Sequence, residues 1–169
     1  MIQFFKTKNK RIMPSTEMKP DEILSVIREE GYSPQIESDG DISFKIKGTT
    51  LTFGTCANGF VYGRIYYNLK REYRWPALLA AQHVELSYVA IKVLVVSECE
   101  SLIFSVESLC GNKEGFRVFF NRTISILSDS VRTFADKFSE YEADEDCNDK
   151  TYDDANCLQN NVSKSSIPS

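Results

Sequence analysis

The side chains best able to carry out acid–base or nucleophilic chemistry are few and scattered in this sequence. His83 is its one histidine, and its five cysteines, from Cys56 to Cys157, show no CxxC spacing. A hydrolytic triad can be assembled from distant residues, but no Gly-x-Ser-x-Gly motif accompanies His83, which falls within a predicted helix. We therefore predict a structural role for His83 and no enzymatic activity, with an unfamiliar hydrolase or transferase site as the alternative.

Cofactor and metal sites have no signal in the sequence either. The glycines are spaced as turn and strand residues and form neither GxGxxG nor GxxxxGK[ST], so no phosphate-binding loop is predicted. The carboxylates beyond residue 141 lack the glycine and the closing glutamate of a calcium-binding loop. One histidine and dispersed cysteines do not supply a zinc ligand set. We predict no cofactor and no metal.

Contact with phosphate groups is the alternative chemistry. Residues 6–11 contain four cations, and residues 70–75 interleave three cations with Tyr73 and Trp75. Cations beside aromatic rings suit phosphate contact combined with base stacking. The isoelectric point of 5.1 weighs against a nucleic-acid partner. We prefer to interpret 70–75 as a solvated connector and keep nucleic acid as the second hypothesis.

Amphipathic aromatic residues are the best sequence candidates for contacts with a protein partner, because such side chains are enriched at interfaces. Four are chosen: Tyr62, Tyr66, Tyr73 and Trp75. Packing of the same rings in the core is the competing interpretation.

The elements that must position these residues alternate between helical and strand patterns. Pro20 at a first helical position, acidic residues after it and Gly31 at the end predict a helix over 19–30. A two-residue period then predicts four antiparallel strands. Three turns divide them, at Asp39-Gly40, Lys47-Gly48 and Asn58-Gly59, and the first and last are the strongest two-residue hairpin signals. Pro76 opens a second helix, and a hairpin follows in which Val93–Val96 reads as a central strand buried on both faces. The strands are expected near 33–38, 41–47, 50–56 and 60–68.

A long helix over about 114–140 closes the folded region. Its apolar residues recur at steps of three and four, almost as a heptad seam, and the members central to the stripe are Phe120, Ile124, Leu127 and Val131. Packing on the sheet is the favoured role of this stripe, and a homodimer interface through these four residues is the alternative. The predicted fold class is therefore α+β: helix, four-strand antiparallel meander, helix, two-strand hairpin, and a long C-terminal helix packed on the sheet.

Charge divides the chain of 169 residues into three parts. We predict a basic arm at 1–17, one α+β domain at 18–140 and an acidic, disordered tail at 141–169. No apolar run is long enough to span a bilayer, and the first residues do not read as a signal peptide. The cysteines suit reduced thiols, so a cytoplasmic location is expected.

The order of these elements and several short sequence segments resemble the YbjN family, whose members share a fold similar to type III secretion chaperones. The segments are residues 21–24 and 29–32, then 39–44, then 80–84 leading into 89–93. The resemblance covers roughly 18–140 and carries no catalytic residues. It implies a regulatory, protein-binding or chaperone-like module, dimeric or able to bind extended segments of another protein.

Overall fold

The computed structural model describes residues 18–162 except 57, 58, 97 and 99, with side chains as far as residue 143. The elements follow the predicted order. They are α1 Pro20–Glu29, β1 Gln35–Ile36, β2 Ile42–Ile46, β3 Thr49–Thr55, β4 Phe60–Asn68, a short 3-10 turn Arg71–Tyr73, α2 Arg74–Ser87, β5 Ile91–Val96, β6 Ser101–Leu109 and α3 Lys113–Val162. The predicted α+β class and the long C-terminal helix on the sheet are confirmed. None of the described helices is both long and apolar enough to cross a membrane.

One six-stranded antiparallel sheet contains all the strands of the described residues, in the order β1-β2-β3-β4-β6-β5. The meander occupies β1 to β4, and β6 pairs with β4 along the whole length of β4. This places β5 at the edge of the sheet, so the prediction of Val93–Val96 as a central strand was wrong. Ile91 and Val93 are buried whereas Lys92 and Leu94 are exposed, because one face of β5 is covered by helix and the other is not.

The turns also differ in detail from the sequence prediction. The tight two-residue hairpin lies at Lys47-Gly48, where φ is 47° and 87°, and Ile46 pairs directly with Thr49. Both central residues of this turn type need positive φ. The Asp39-Gly40 loop is longer, since the Glu37 N–H donates to the Asp41 carbonyl at 2.8 Å and only Gly40 has positive φ. Asn58, in the third predicted turn, lies outside the described residues.

All three helices pack on one face of the sheet, over a core rich in aromatic rings. The Phe120 ring lies 5.2 Å from that of Phe53 and 5.7 Å from that of Phe44, between centroids. Farther along α3, Phe134 meets Phe104 edge to face at 5.3 Å. These tilted and edge-to-face contacts avoid the face-to-face sandwich that aromatic rings disfavour. They fix α3 across the middle of the sheet.

The α3 stripe proposed as a dimer interface is therefore core. Phe120 and Leu127 are fully buried beneath the chain's own sheet, and Ile124 and Val131 are half-buried against the same cluster. As folded, the first two have no surface to offer to a second chain. The favoured sequence interpretation, packing on the sheet, describes them correctly.

The long helix extends past the end predicted for it. The sequence predicts a disordered tail from residue 141, whereas α3 continues to Val162. Residues 163–169 and the basic arm at 1–17 lie outside the described residues. The division into arm, domain and tail stays a prediction.

A single glycine allows α3 to approach the sheet closely. A Cβ atom on Gly63 of β4 would lie 2.6 Å from Thr123 Cγ2 and 2.8 Å from Phe53 Cε1. Thr123 is fully buried, and its hydroxyl has no hydrogen-bond partner within the described part of the chain. The helix and the strand thus pack closely although this leaves the Thr123 hydroxyl buried without a partner, which costs free energy.

We predict that Gly63→Ala lowers the free energy of unfolding by about 1–3 kcal/mol, the usual cost of overpacking a core. Chemical denaturation measures this change. The matched control is Gly115→Ala in the first turn of α3, where the nearest atom to a Cβ is 3.4 Å away. The control should be neutral or stabilising by up to about 1 kcal/mol. Equal stability of the two variants would contradict the close approach.

Candidate functional site

The face of the sheet opposite the helices is exposed to solvent and carries a row of apolar side chains. Register aligns Tyr66 with Ile103 and Ile103 with Leu94, so the row crosses β4, β6 and β5. Tyr66 is 48% exposed and Leu94 46% exposed, with Ile103 half-buried between them. We call these three residues the sheet-face row. Because the strands are hydrogen-bonded to each other, the row is held on a rigid support.

A second row, made of two charged residues and a serine, lies directly beside the first. Arg64, Ser105 and Lys92 are aligned on the same three strands. Lys92 Nζ lies 2.7 Å and the Arg64 guanidinium 3.6 Å from the Glu107 carboxylate, and Arg64 Nε donates to Ser105 Oγ at 3.2 Å. The hydrogen bond from Lys92 keeps the pKa of Glu107 below its usual value, although partial burial opposes this. Paired charges thus border the apolar row along one side, and we call them the paired-charge rim.

Tyr62 lies on this same face of β4 but presents little of its ring to solvent. It is only 8% exposed, its hydroxyl donates to Asp41 Oδ1 at 2.5 Å, and the Arg64 guanidinium lies 3.9 Å from its ring centroid. The hydrogen bond crosses Gly54, where a Cβ would lie 2.2 Å from that same carboxylate oxygen. Burial, followed by the Asp41 contact, raises the pKa of Tyr62. We therefore assign Tyr62 to support of the face, not to direct partner contact.

The other two aromatic candidates lie in the helical layer. Tyr73 is half-buried, with its ring 5.8 Å from that of Phe138 on α3. Trp75 is 58% exposed on α2. Of the four residues predicted to bind a partner, Tyr66 and Trp75 present most of their surface to solvent, and they do so on different sides of the sheet.

Sequence reasoning missed Leu94 and Ile103. Because Val93–Val96 is an uninterrupted apolar run, the prediction overlooked the alternation along β5, in which Ile91 and Val93 are buried while Lys92 and Leu94 are exposed. The outward positions of Leu94 and Ile103 could have been found from the alternating serines of β6, the strand that pairs with β5. Ser101, Ile103 and Ser105 fall on one face, while Leu102 and Phe104 fall on the buried one.

The residues considered for chemistry are not gathered into a site. His83 is half-buried in α2, and the described residues contain no group of three histidine, cysteine or acidic side chains placed to hold a metal ion. Cys110 is buried, which raises the pKa of its thiol, and Cys56 is exposed.

The basic connector does line a groove. It has a volume of about 660 Å³ and lies between the 70–74 segment and the turn joining β5 to β6. Its polar walls mix cations and carboxylates, from Lys70, Arg71, Arg74, Glu98 and Glu100. The predicted basic arm at 6–11 lies outside the described residues.

Comparison with known proteins gives a likeness in fold. No family model matches the sequence, and no curated protein matches it. Among solved structures, it is similar to YbjN from E. coli, named as a candidate transcription regulator, with 11% identity and a TM-score of 0.57 over 68% of this chain and 89% of that one. The chain shares the fold of YbjN. The part of the resemblance that concerns the YbjN fold is thereby confirmed, the likeness to type III secretion chaperones stays a prediction, and identity this low speaks only to fold.

Replacing Glu107 tests the paired-charge rim. Glu107→Gln should lower the free energy of unfolding at neutral pH by less than about 1 kcal/mol, as expected for an ion pair near the surface. Because the folded-state pKa lies below the ordinary value of 4.5, the contribution is present above that value and is lost as the pH falls. Chemical denaturation at neutral pH and at about pH 3 should show that the difference in free energy of unfolding between wild type and variant becomes smaller at the lower pH. A difference that became larger on acidification would contradict the ion pairing of Glu107.

Proposed function

We propose that this chain is a non-enzymatic regulatory module that binds a partner protein on the helix-free face of its sheet. The observation that carries the proposal is the sheet-face row, in which Tyr66 and Leu94 expose nearly half their surface on a rigid support. An apolar centre with a polar rim is the usual anatomy of a protein interface. The row and its paired charges have that arrangement.

The shape of this face favours a macromolecular partner. Small-molecule sites are concave and enclose most of the ligand, whereas the sheet-face row lies on an open strand surface. The neighbouring charges are already paired through Glu107, so a partner need not supply a compensating ion. The apolar centre would then contribute most of the binding energy, as in interfaces dominated by a few side chains.

The free edge of β5 is a weaker candidate for chaperone-like capture of an extended segment. An added strand would need the outward backbone groups of β5. The N–H of Val93 already donates to Glu85 Oε1 at 2.8 Å, so an incoming strand would first have to displace this carboxylate. The flat face requires no such displacement.

The name of the structural neighbour is compatible with a regulatory role. YbjN is named as a candidate transcription regulator, and a regulator can act through protein contacts alone. Cysteines without paired spacing favour a reducing compartment, so we place the protein in the cytoplasm.

A double variant tests the sheet face. Tyr66→Thr with Leu94→Thr removes the apolar row and keeps residues that favour strands. The full chain, carrying an affinity tag, is used to capture partners from a nuclease-treated lysate of the source cells, read by quantitative mass spectrometry. We expect one partner protein whose recovery falls about tenfold or more with the double variant, which corresponds to about 1.4 kcal/mol or more of lost binding.

The control for this experiment is Val118→Gln, which replaces an apolar residue 51% exposed on α3. It should recover the partner as wild type does. Equal recovery with all three proteins would contradict docking on the sheet-face row.

The groove at the connector carries the second candidate function, association with nucleic acid. Arg71 and Arg74 are exposed beside Lys70. If they contact phosphates, binding to single-stranded DNA should weaken steeply between about 50 mM and about 200 mM salt. Arg71→Ala with Arg74→Ala should abolish that binding, as measured by fluorescence anisotropy. No binding at the lower salt concentration would eliminate this candidate.

A further inference from the structure

A second pair of apolar side chains lies on the helix-free face of the sheet, beyond the paired-charge rim. Phe60 of β4 pairs directly with Leu109 of β6, and the two residues are 39% and 66% exposed. Side chains alternate between the two faces of a strand, so Phe60 shares the face of Tyr66, which lies farther along β4. We call Phe60 and Leu109 the far pair.

The far pair and the sheet-face row are separated by a polar band. The stretch of β4 from Phe60 to Tyr66 spans about 20 Å, at the rise per residue of an extended strand. The space between them is occupied by Tyr62 and by the paired-charge rim, with Glu107 directly opposite Tyr62. The face is therefore apolar at two places and charged between them.

The paired-charge rim carries more positive than negative charge. Arg64 and Lys92 share the carboxylate of Glu107, and 58% of the Lys92 side chain remains exposed. Asp41, a further carboxylate near this face, lies over Gly54 of β3 and already accepts a hydrogen bond from a tyrosine. A partner need not supply a charge here, but an acidic side chain near Lys92 is favoured over a basic one.

Backbone chemistry decides which kind of segment can cover this face. Both β4 and β6 are interior strands, whose backbone groups point towards the neighbouring strands and not out of the face. An extended segment laid across the face would lose water from its own N–H and C=O groups without gaining partners for them, which costs free energy. An α-helix satisfies these groups internally and needs only side-chain contacts. Helices on both faces of a sheet are also a common layer arrangement.

We propose that the partner contributes an amphipathic α-helix, which lies along β4 and β6 and is anchored at both the sheet-face row and the far pair. This proposal rests on the function proposed above. Four turns of helix rise about 22 Å, close to the separation of about 20 Å between the two apolar places. The partner helix therefore has apolar residues about 14 positions apart on one side. An acidic residue lies about one turn inward from the end that meets the sheet-face row, opposite Lys92.

Synthetic peptides test the proposal on the full chain by fluorescence anisotropy. The matching peptide is an alanine-based helix of about 22 residues, with leucines about 14 positions apart and a glutamate one turn inward from the first leucine. In one comparison peptide lysine replaces the glutamate. In the other the second leucine moves by about two positions to the opposite side of the helix, with the composition unchanged. The matching peptide should bind at least about fivefold more tightly than either.

Two double variants locate the binding site of the matching peptide. Phe60→Thr with Leu109→Thr removes the far pair, and Tyr66→Thr with Leu94→Thr removes most of the sheet-face row. Threonine favours strands, so both variants should keep the circular dichroism spectrum of wild type. Each should weaken binding about tenfold or more. The control Val118→Gln, on α3, should bind as wild type does.

Three results would overturn the partner helix. These are equal binding of the three peptides, no binding of the matching peptide up to about 1 mM, and binding that does not depend on the far pair. The proposed function itself is tested separately, by capture from the lysate with the variant of the sheet-face row, so the two failures can be told apart. A chain whose mass doubles with concentration only while the far pair is intact would assign this face to a second copy, which would also overturn the proposal.

Discussion

The close contact between α3 and the centre of the sheet is the constraint on which the rest of the structure depends. Gly63 has no side chain, so Thr123 and Phe53 occupy the space that a Cβ would take. At that distance Phe120 reaches both Phe44 and Phe53, and one aromatic cluster joins α3 to β2 and β3. Polar contacts then tie α1 to the same helix, since Arg117 lies within 2.6 Å of the Glu30 carboxylate. All three helices are thereby held on one face.

Two outward surfaces follow from this one-sided packing. The opposite face of the sheet remains open and displays Tyr66, Ile103 and Leu94 beside paired charges. In the helical layer, α2 fits through its alanines, and its larger residues remain outside. The two surfaces lie on opposite sides of the sheet, so a partner bound to one of them would leave the other free.

The sequence determined the order and type of the elements because they depend on local patterns. The sequence shows these patterns directly: residues alternate in Ile42–Ile46, and apolar residues recur at helical spacing in α1 and in the stripe of α3. The place of β5 could not be read in this way, because strand order depends on which strand β4 pairs with. The exposure of Leu94 follows from that order and was missed with it.

The candidate surfaces were harder to predict than the fold for a related reason. Phe120 and Trp75 are both large aromatic residues in helices, and only the packing of those helices makes one fully buried and the other 58% exposed. Tyr62 and Tyr66 lie on the same strand face, yet Gly54 and Asp41 draw Tyr62 into a hydrogen bond while Tyr66 stays open. Neighbours distant in sequence decide which aromatic residues a partner can touch.

Hydroxyl-radical footprinting of the full chain, read by mass spectrometry, tests the central claim that the helix-free sheet face is open to a partner. Tyr66 should be oxidised rapidly and Phe104, on the covered face of the neighbouring strand, should be protected. Protection of Tyr66 equal to that of Phe104 in the isolated protein would contradict the account.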